Sequence, residues 1–479
     1  MRHSMYRLAA AVLALASAAS ASATSVLLIS IDGLRPADVL EAKKHGLALP
    51  NLERFLSQGA YASKVRGVLP TLTYPSHTTL ITGVAPGAHG IGGNLTFDPT
   101  NKNQQGWYWY SSDIRVPTLW DAAHAAGLST ANVHWPVSVG ATVDWNLPQI
   151  WRTGLADDRK LVAALATPGL LPELEKDLGA YADGIDESLA GDETRARFAV
   201  KLLEMHKPQF MTAYLTALDH EQHASGPDTP ASRAVLEKID GLIGNLVAAA
   251  QRVHPDGVVA VVSDHGFLPV QQDVNLYMPF IKAGLITLKE DGTVTDWQAM
   301  PWNDGGSAAI VLREPDNAEL KAKVQALLTQ LQGDQAYGID RVLDHPQLTA
   351  QGGIAQASWF VLFKTGYEMA IKPDAPLPSP SHYRGMHGYD PALPAMRSTF
   401  LLEGKGIPAG KNLGEIDMPL ASGAFAAERA DPPLMVIPIA GVVRGQETCA
   451  AAISADLPMR PIAASAARCS CMAVAIRGP

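Results

Sequence analysis

Short apolar runs rich in β-branched residues alternate with helix-length segments along most of the chain, and several runs stop at an acid or a histidine. Ser25–Ile31 ends at Asp32-Gly33, and Val258–Ser263 ends at Asp264-His265. Thr130–Val133, Phe210–Leu215 and Ser398–Leu402 read as further strands, whereas Leu52–Gln58, Thr118–Ala126, Thr194–His206, Ala231–Arg252 and Leu320–Leu331 carry helical spacing. Strands separated by helices predict an α/β fold with a mostly parallel central sheet flanked by helices. Segments 141–192 and 267–390 are richer in Pro, Gly and Trp and read as loops and a small inserted cap over one end of the sheet. With 479 residues, 47% of them hydrophobic, the chain can bury a large core.

Ligands of open α/β sheets bind beyond the carboxyl ends of the strands. Four segments place acids or histidines just beyond an apolar run: Asp32; Asp219 with His223; Asp264 with His265; and His387. Three of them directly follow expected strands and could converge at one edge. Asp219 and His223 stand four residues apart, which sets both on one face of a helical turn, a common way to make two legs of a metal site. The adjacent Asp264 and His265 diverge at a strand end and would serve two positions around a metal. Each piece alone is more often a cap or a surface ion pair; together they point to metal. Asp and neutral His suit Zn²⁺, whereas Mg²⁺ or Ca²⁺ would draw a set richer in oxygen.

A fifth segment, Pro70-Thr71-Leu72-Thr73-Tyr74-Pro75-Ser76-His77-Thr78, precedes a helix expected over His77–Ile81. Thr73 would sit near that helix's N-terminus, where free N–H groups favour an anion. A hydroxyl activated by metal there would be a nucleophile placed against phosphate. The bland alternative is an ordinary threonine cap.

These segments, taken with His89-Gly90-Ile91-Gly92-Gly93-Asn94, His134-Trp135-Pro136, Ser263-Asp264-His265-Gly266 and Gly385-Met386-His387-Gly388-Tyr389, resemble the nucleotide pyrophosphatase/phosphodiesterase family (type I phosphodiesterase) of the alkaline phosphatase superfamily. The match runs in order from Ser25 to about Asp417. The resemblance implies two Zn²⁺ ions: one held by Asp219, His223 and His387, the other by Asp32, Asp264, His265 and the Thr73 oxygen. It implies that Thr73 attacks phosphorus in line, that a phospho-threonine is hydrolysed by water, and that Asn94 donates to a non-bridging oxygen. Tyr74 and Tyr214 match positions that line a leaving-group or nucleoside pocket; ordinary core packing is the other reading of both rings.

Relatives within the superfamily separate by small features. Sulfatases carry Cys or Ser followed by x-Pro-x-Arg; here His77 stands in the Arg position. Threonine-type phosphomonoesterases carry Lys-x-Arg near Trp135-Pro136, and this chain has none there, which favours a diester. A phosphonate hydrolase or a phosphomonoesterase is the alternative reading, and a non-catalytic metal-binding protein is a third. The chain departs from the family at Gln222, where Gly precedes the histidine, and at Val137-Ser138, where Gly-Ser follows Trp-Pro. It also has Trp151, Arg152, Thr153 and Gly154 where nucleotide-specific members carry a stacking Tyr. That leaves glycerophosphodiesters and phosphocholine-type lipids open beside nucleotides as the small substrate.

Residues 1–23 read as a secretory signal, with Arg2 and Arg7 before an apolar run too short to span a bilayer. Its removal takes away two positive charges, moving the formal net charge from -9 to -11. An exported, periplasmic or secreted protein is expected, with no later transmembrane segment. The acidic balance gives no footprint for nucleic acid. The expected layout is a signal over 1–23, an alkaline-phosphatase-like catalytic domain over 24–419, and an atypical Ala/Pro/Arg-rich tail over 420–479 that holds Cys449, Cys469 and Cys471. The body thus has no disulfide. A shifted reading frame is one account of the tail; an uninterrupted 3′ end matching it would remove that account. Oligomeric state is not legible.

Overall fold

The computed structural model describes residues 24–103, 106–150, 158–181, 184–370 and 378–421. The expected signal over 1–23, Trp151–Gly154 and the expected tail from residue 422 onward, with its cysteines, lie outside the described residues. The main sheet has eight strands: β1 Val26–Ile31, β2 Ala60–Tyr61, β3 Thr130–Val133, β4 Trp145–Leu147, β5 Phe210–Leu215, β6 Val258–Val262, β7 Phe400–Gly404 and β8 Lys411–Asn412. Their order is β8-β2-β7-β6-β1-β5-β3-β4. β1 lies parallel between β5 and β6, and β3 runs parallel to β4 and β5; β7 is antiparallel to β6 and β2. The expected α/β architecture with a mainly parallel sheet is what the chain forms.

β1, β5 and β6 are buried along their whole length, because helices cover both faces of the sheet. Leu27, Ile29 and Ile31 face one layer, with Phe198 and Leu202 of α2 (Leu189–His206) and Ile239, Ile243 and Leu246 of α4 (Pro230–Val253). Val26 and Leu28 face the other, with Trp120, Trp135, and Leu80 and Ile81 of α1 (Thr73–Thr82). α3, Ala217–Ser225, follows β5 directly. The parallel register pairs Ile31 with Leu215 and Ser30 with Val262, so all three central strands end at one edge. Asp32, Asp264 and the start of α3 therefore meet there.

Segment 267–390 is more ordered than its loop-like composition suggests. Ala299–Asn303, Ser307–Leu312, Trp359–Phe363 and Ile339–Asp344 form a four-stranded antiparallel sheet in that spatial order. Helix Ala318–Gly333 packs on it through Leu320, Val324, Leu328 and Leu331, giving a second core. In segment 141–192, Asp158–Leu165 and Leu170–Leu178 are helices. Short antiparallel strands and short helices broken by Gly and Pro carry too little periodicity to be read from the sequence.

Candidate active site

The turn after β1 aims Asp32 across the sheet edge. Gly33 has φ 68, and a side chain there would press on the Phe267 ring at 3.0 Å, so the position suits glycine. The Gly33 amide donates to Asp264 Oδ1 at 3.1 Å, and the His265 amide donates to the same oxygen at 2.9 Å. These bonds leave Asp264 Oδ2 free to face the His265 ring, 3.1 Å from Nε2. His265 Nε2 is also 3.4 Å from Asp32 Oδ1. On α3, Asp219 and His223 do share a face: His223 Nε2 is 3.5 Å from Asp219 Oδ2. His387 Nε2 lies 3.7 Å from Asp219 Oδ1.

Two donor groups result, Asp219 with His223 and His387, and Asp32 with Asp219 and His265, the ligand atoms within each lying within 4.8 Å of one another. The His265 and His387 rings stack at 3.7 Å, which places the groups side by side. Asp219 is common to both.

Each histidine has its Nδ1 turned to a backbone carbonyl: His223 to Gly385 at 2.9 Å, His265 to Gly266 at 3.2 Å, His387 to Thr71 at 3.1 Å. A carbonyl only accepts, so Nδ1 carries the proton and Nε2 presents a lone pair inward. Burial keeps all three neutral: it pushes His223 down to about 4 and holds His265 and His387 well below the usual range, reinforced by neighbouring imidazoles. Burial, aided by the nearby acids, raises Asp32 and Asp219 well above the carboxylate range. Asp32 Oδ1, Asp219 Oδ1 and Asp264 Oδ2 are buried without a hydrogen-bond partner. Orphaned carboxylate oxygens facing neutral imidazole nitrogens are a set that divalent metal satisfies. The residues therefore fit Zn²⁺.

Thr73 is the first residue of α1, four residues before the expected helix start. Its hydroxyl lies 3.4 Å from His265 Nε2, on the Asp32–Asp264 side. The Tyr74 amide donates to Asn94 Oδ1 at 2.9 Å, so the Asn94 amide nitrogen is the end left for a ligand. Tyr74 and Tyr214 are both buried, 1% and 2% exposed. Tyr214 lies beneath the site, donating its hydroxyl to Asp32 Oδ2 and packing its ring 4.4 Å from His77. Tyr74 packs 5.2 Å from Trp107, and of these two rings only Trp107 lines a cavity of about 510 Å³ that reaches His223 and His387.

Several supports escaped the sequence reading. His77 accepts or donates with Ser30 Oγ at 2.9 Å and meets the Thr73 carbonyl at 2.8 Å, tying α1 to β1. Gln222 is buried and its amide donates to the Gly33 carbonyl at 3.4 Å, linking α3 to the Asp32 turn. Asp192 accepts the Thr216 and Ala217 amides at 2.8 and 2.9 Å and pairs with buried Arg195, fixing the start of α3. Val137 has φ 54, a left-handed conformation in which a β-branched residue is strained by roughly 1–2 kcal/mol. It is held there by full burial against Tyr74 and Ile91. Glycine would sit there without strain.

The family model of type I phosphodiesterase / nucleotide pyrophosphatase matches residues 26–390. The chain belongs to that family. Among curated relatives, human bis(5'-adenosyl)-triphosphatase ENPP4 is 28% identical over 255 residues, 52% of this chain and 48% of its own. Human ectonucleotide pyrophosphatase/phosphodiesterase family member 1 is 26% identical over 250 residues, 50% of this chain and 23% of its own. The matched region thus spans about half, or less, of the curated relatives' length. Among solved structures, human ectonucleotide pyrophosphatase/phosphodiesterase 5 aligns over 83% of this chain and 93% of its own, with TM-score 0.56 and 18% identity. Its murine counterpart, in an inactive threonine-to-alanine form complexed with AMP, aligns over 84% and 93%, with TM-score 0.56 and 17% identity. The family fold and this chain's fold therefore agree over most of the described residues.

Proposed function

We propose that this family member is a hydrolase of phosphodiester or pyrophosphate bonds that uses two Zn²⁺ ions and Thr73 as nucleophile. The observation that carries the reading is the Thr73 hydroxyl at the N-terminus of α1, 3.4 Å from His265 Nε2 and beside three unpartnered carboxylate oxygens. Asp219, His223 and His387 would hold one ion, and Asp32, Asp264, His265 and Thr73 the other. Bound there, the ions would supply positive charge to the hydroxyl and to the phosphoryl oxygens.

The chain's own residues do the rest. Thr73 Oγ1 gives up its proton to solvent and bonds to phosphorus while the P–O bond on the opposite side breaks, the ester oxygen leaving with the electron pair and taking a proton from solvent. Water then bonds to phosphorus, the Thr73 O–P bond breaks, and the proton that water loses restores the hydroxyl. The Asn94 amide donates to a non-bridging oxygen, and the helix N-terminus favours the anion. In-line displacement would send the leaving group toward His223 and His387, which line the cavity. Among the described residues lining that cavity there is no Lys or Arg, which suits a diester better than a dianionic monoester. The murine structural neighbour's AMP complex puts AMP-yielding substrates in the panel. Residues 24–419 are taken as the catalytic unit, exported behind a signal over 1–23. Among the described residues no helix is long and apolar enough to cross a membrane.

The test is a panel of nucleotides, dinucleotides, glycerophosphodiesters, bis-p-nitrophenyl phosphate and p-nitrophenyl phosphate on zinc-loaded protein and on Thr73→Ala. Diester cleavage by the wild type, lost in the variant with metal content kept, supports the reading. Faster monoester than diester cleavage, or full activity in Thr73→Ala, overturns it.

A further inference from the structure

A second acid-rich group adjoins Tyr383, whose ring neighbours both His382 and His223, and the proposal it carries is independent of the chemistry at Thr73. Strands Gln272–Val274, Tyr367–Met369 and Ser379–Pro380 form a three-stranded sheet with Gln272–Val274 in the middle. The register sets Glu368 directly opposite Asp273. Like charges directly opposite one another destabilise a strand pair. Here the conflict is buried: Glu368 is 3% exposed, and Asp273 Oδ1 is closed to solvent without a hydrogen-bond partner. Among the described residues no Lys or Arg pairs with either acid. The cationic side chain that usually resolves such a contact is replaced by an imidazole: His382 Nδ1 lies 3.9 Å from Asp273 Oδ2.

We propose that Asp273, Glu368 and His382 form a further divalent-cation site, separate from the groups around Thr73. Two carboxylates and one imidazole suit a first-row transition ion such as Zn²⁺ or Mn²⁺ better than Ca²⁺ or Mg²⁺. The donor atoms lie within 4.8 Å of one another. The surroundings hold the ligands in place: Ser381 Oγ donates to Glu368 Oε1 and accepts the Tyr383 amide at 3.0 Å. Glu368 also lines the cavity that reaches His223 and His387, which gives an ion an entry path. In the metal-free state burial, with Asp273 opposite, pushes Glu368 up to about 8, so a shared proton is the competing way to relieve the pair.

The ion would clamp the segment that shapes the active site. Tyr383 follows His382 and packs 4.8 Å from the His223 ring. The Arg384 amide donates to the His223 carbonyl at 2.8 Å, Gly385 supplies the carbonyl that orients His223, and His387 follows. The role is therefore positioning, not catalytic.

The test uses the full chain, stripped with chelator and then dialysed against Zn²⁺ or Mn²⁺, with metal counted by mass spectrometry. Wild type is compared with Asp273→Asn/Glu368→Gln and with His382→Ala. Each variant is expected to hold about one equivalent less metal than wild type and to show a smaller metal-induced rise in Tm. His382 is 58% exposed, so its replacement keeps the test alive if the double variant fails to fold. Equal metal content in wild type and His382→Ala overturns the proposal. So does a metal-free double variant that is more stable than wild type while metal content is unchanged, since the acids then share only a proton. Neither result depends on ester hydrolysis.

Discussion

Asn94 Oδ1 accepts the Tyr74 amide at 2.9 Å, which ties the loop after His89 to the first turn of α1 and leaves the Asn94 amide nitrogen as the end that can meet a ligand. If that nitrogen stabilises charge on a phosphoryl oxygen, Asn94→Ala will lower kcat by about 10²–10³-fold with a smaller change in KM. Asn94→Asp separates the two roles of the side chain. It keeps an acceptor for the Tyr74 amide but replaces the donor by an acceptor. Steady-state kinetics on a diester should show Asp at least as damaging as Ala; wild-type activity in Asn94→Asp would reduce Asn94 to a loop anchor.

The Tyr214 hydroxyl donates to Asp32 Oδ2 from beneath the site. Tyr214→Phe removes that donor and nothing of the ring's packing on His77. Groups that orient metal ligands typically contribute 10–100-fold in affinity or activity. The variant should need about 10–100-fold more free Zn²⁺ for half-maximal activity, read in a metal-buffered titration, with near-normal kcat once saturated. A loss confined to KM for nucleotide substrates would instead make Tyr214 a pocket wall.

The strands were readable because their ends are abrupt: apolar Val26–Ile31 and Val258–Val262 each stop at an acid that the sheet edge then collects. Asp219 and His223 were readable because helical spacing alone brings them together. The supports were not. The carbonyls of Thr71, Gly266 and Gly385 that fix the histidine tautomers are backbone atoms, which leave no residue-type signature. Tyr214 sits in a strand buried on both faces, where a ring reads as core whether or not its hydroxyl works. The helix of Thr73 started early because Pro75 and Ser76 suit a first turn, a feature masked by the turn-like composition of Pro70–Pro75. Segment 267–390 hid its antiparallel sheet because Ser307–Leu312 pairs on one side with Ala299–Asn303, a hairpin turned at Asp304-Gly305-Gly306 that reads as loop, and on the other with Trp359–Phe363, about 50 residues further on.

Acid and metal act on the site with opposite signs. In the metal-free protein His223, His265 and His387 have lowered pKa values, so their stabilising contribution is present above about 6.5 and is lost as pH falls toward the folded values. Asp32 and Asp219 have raised values, so their contribution is present below about 3.9 and is lost as pH rises through the folded values. Near neutral pH the metal-free site therefore carries the carboxylate penalty, which Zn²⁺ would remove by supplying countercharge. Because the ligands bind only when deprotonated, the zinc-induced rise in Tm should grow between about pH 5.5 and 8. Chelator should abolish activity, and Zn²⁺ should restore it at about pH 8 far better than at about pH 5. A zinc effect on Tm that is flat across this range would remove these side chains as the ligands.

Asp192 and Arg195 form a fully buried pair whose acid also holds the first amides of α3. Arg195 is further bound to Thr216 Oγ1 at 2.7 Å and to the Gly184 carbonyl at 3.0 Å. Removing one partner leaves the other charge buried and unpaired, which costs about 3–5 kcal/mol. Asp192→Ala should therefore lower the unfolding free energy by that order in urea titrations. It should also weaken zinc binding, because Asp219 and His223 ride on the helix whose start it frees. Replacing both residues by apolar ones of similar volume avoids the orphaned charge and should recover much of the stability. It leaves the Thr216 and Ala217 amides without their acceptor, so zinc affinity should stay low. Recovery of zinc affinity together with stability would show that the pair supports the core and does not position α3.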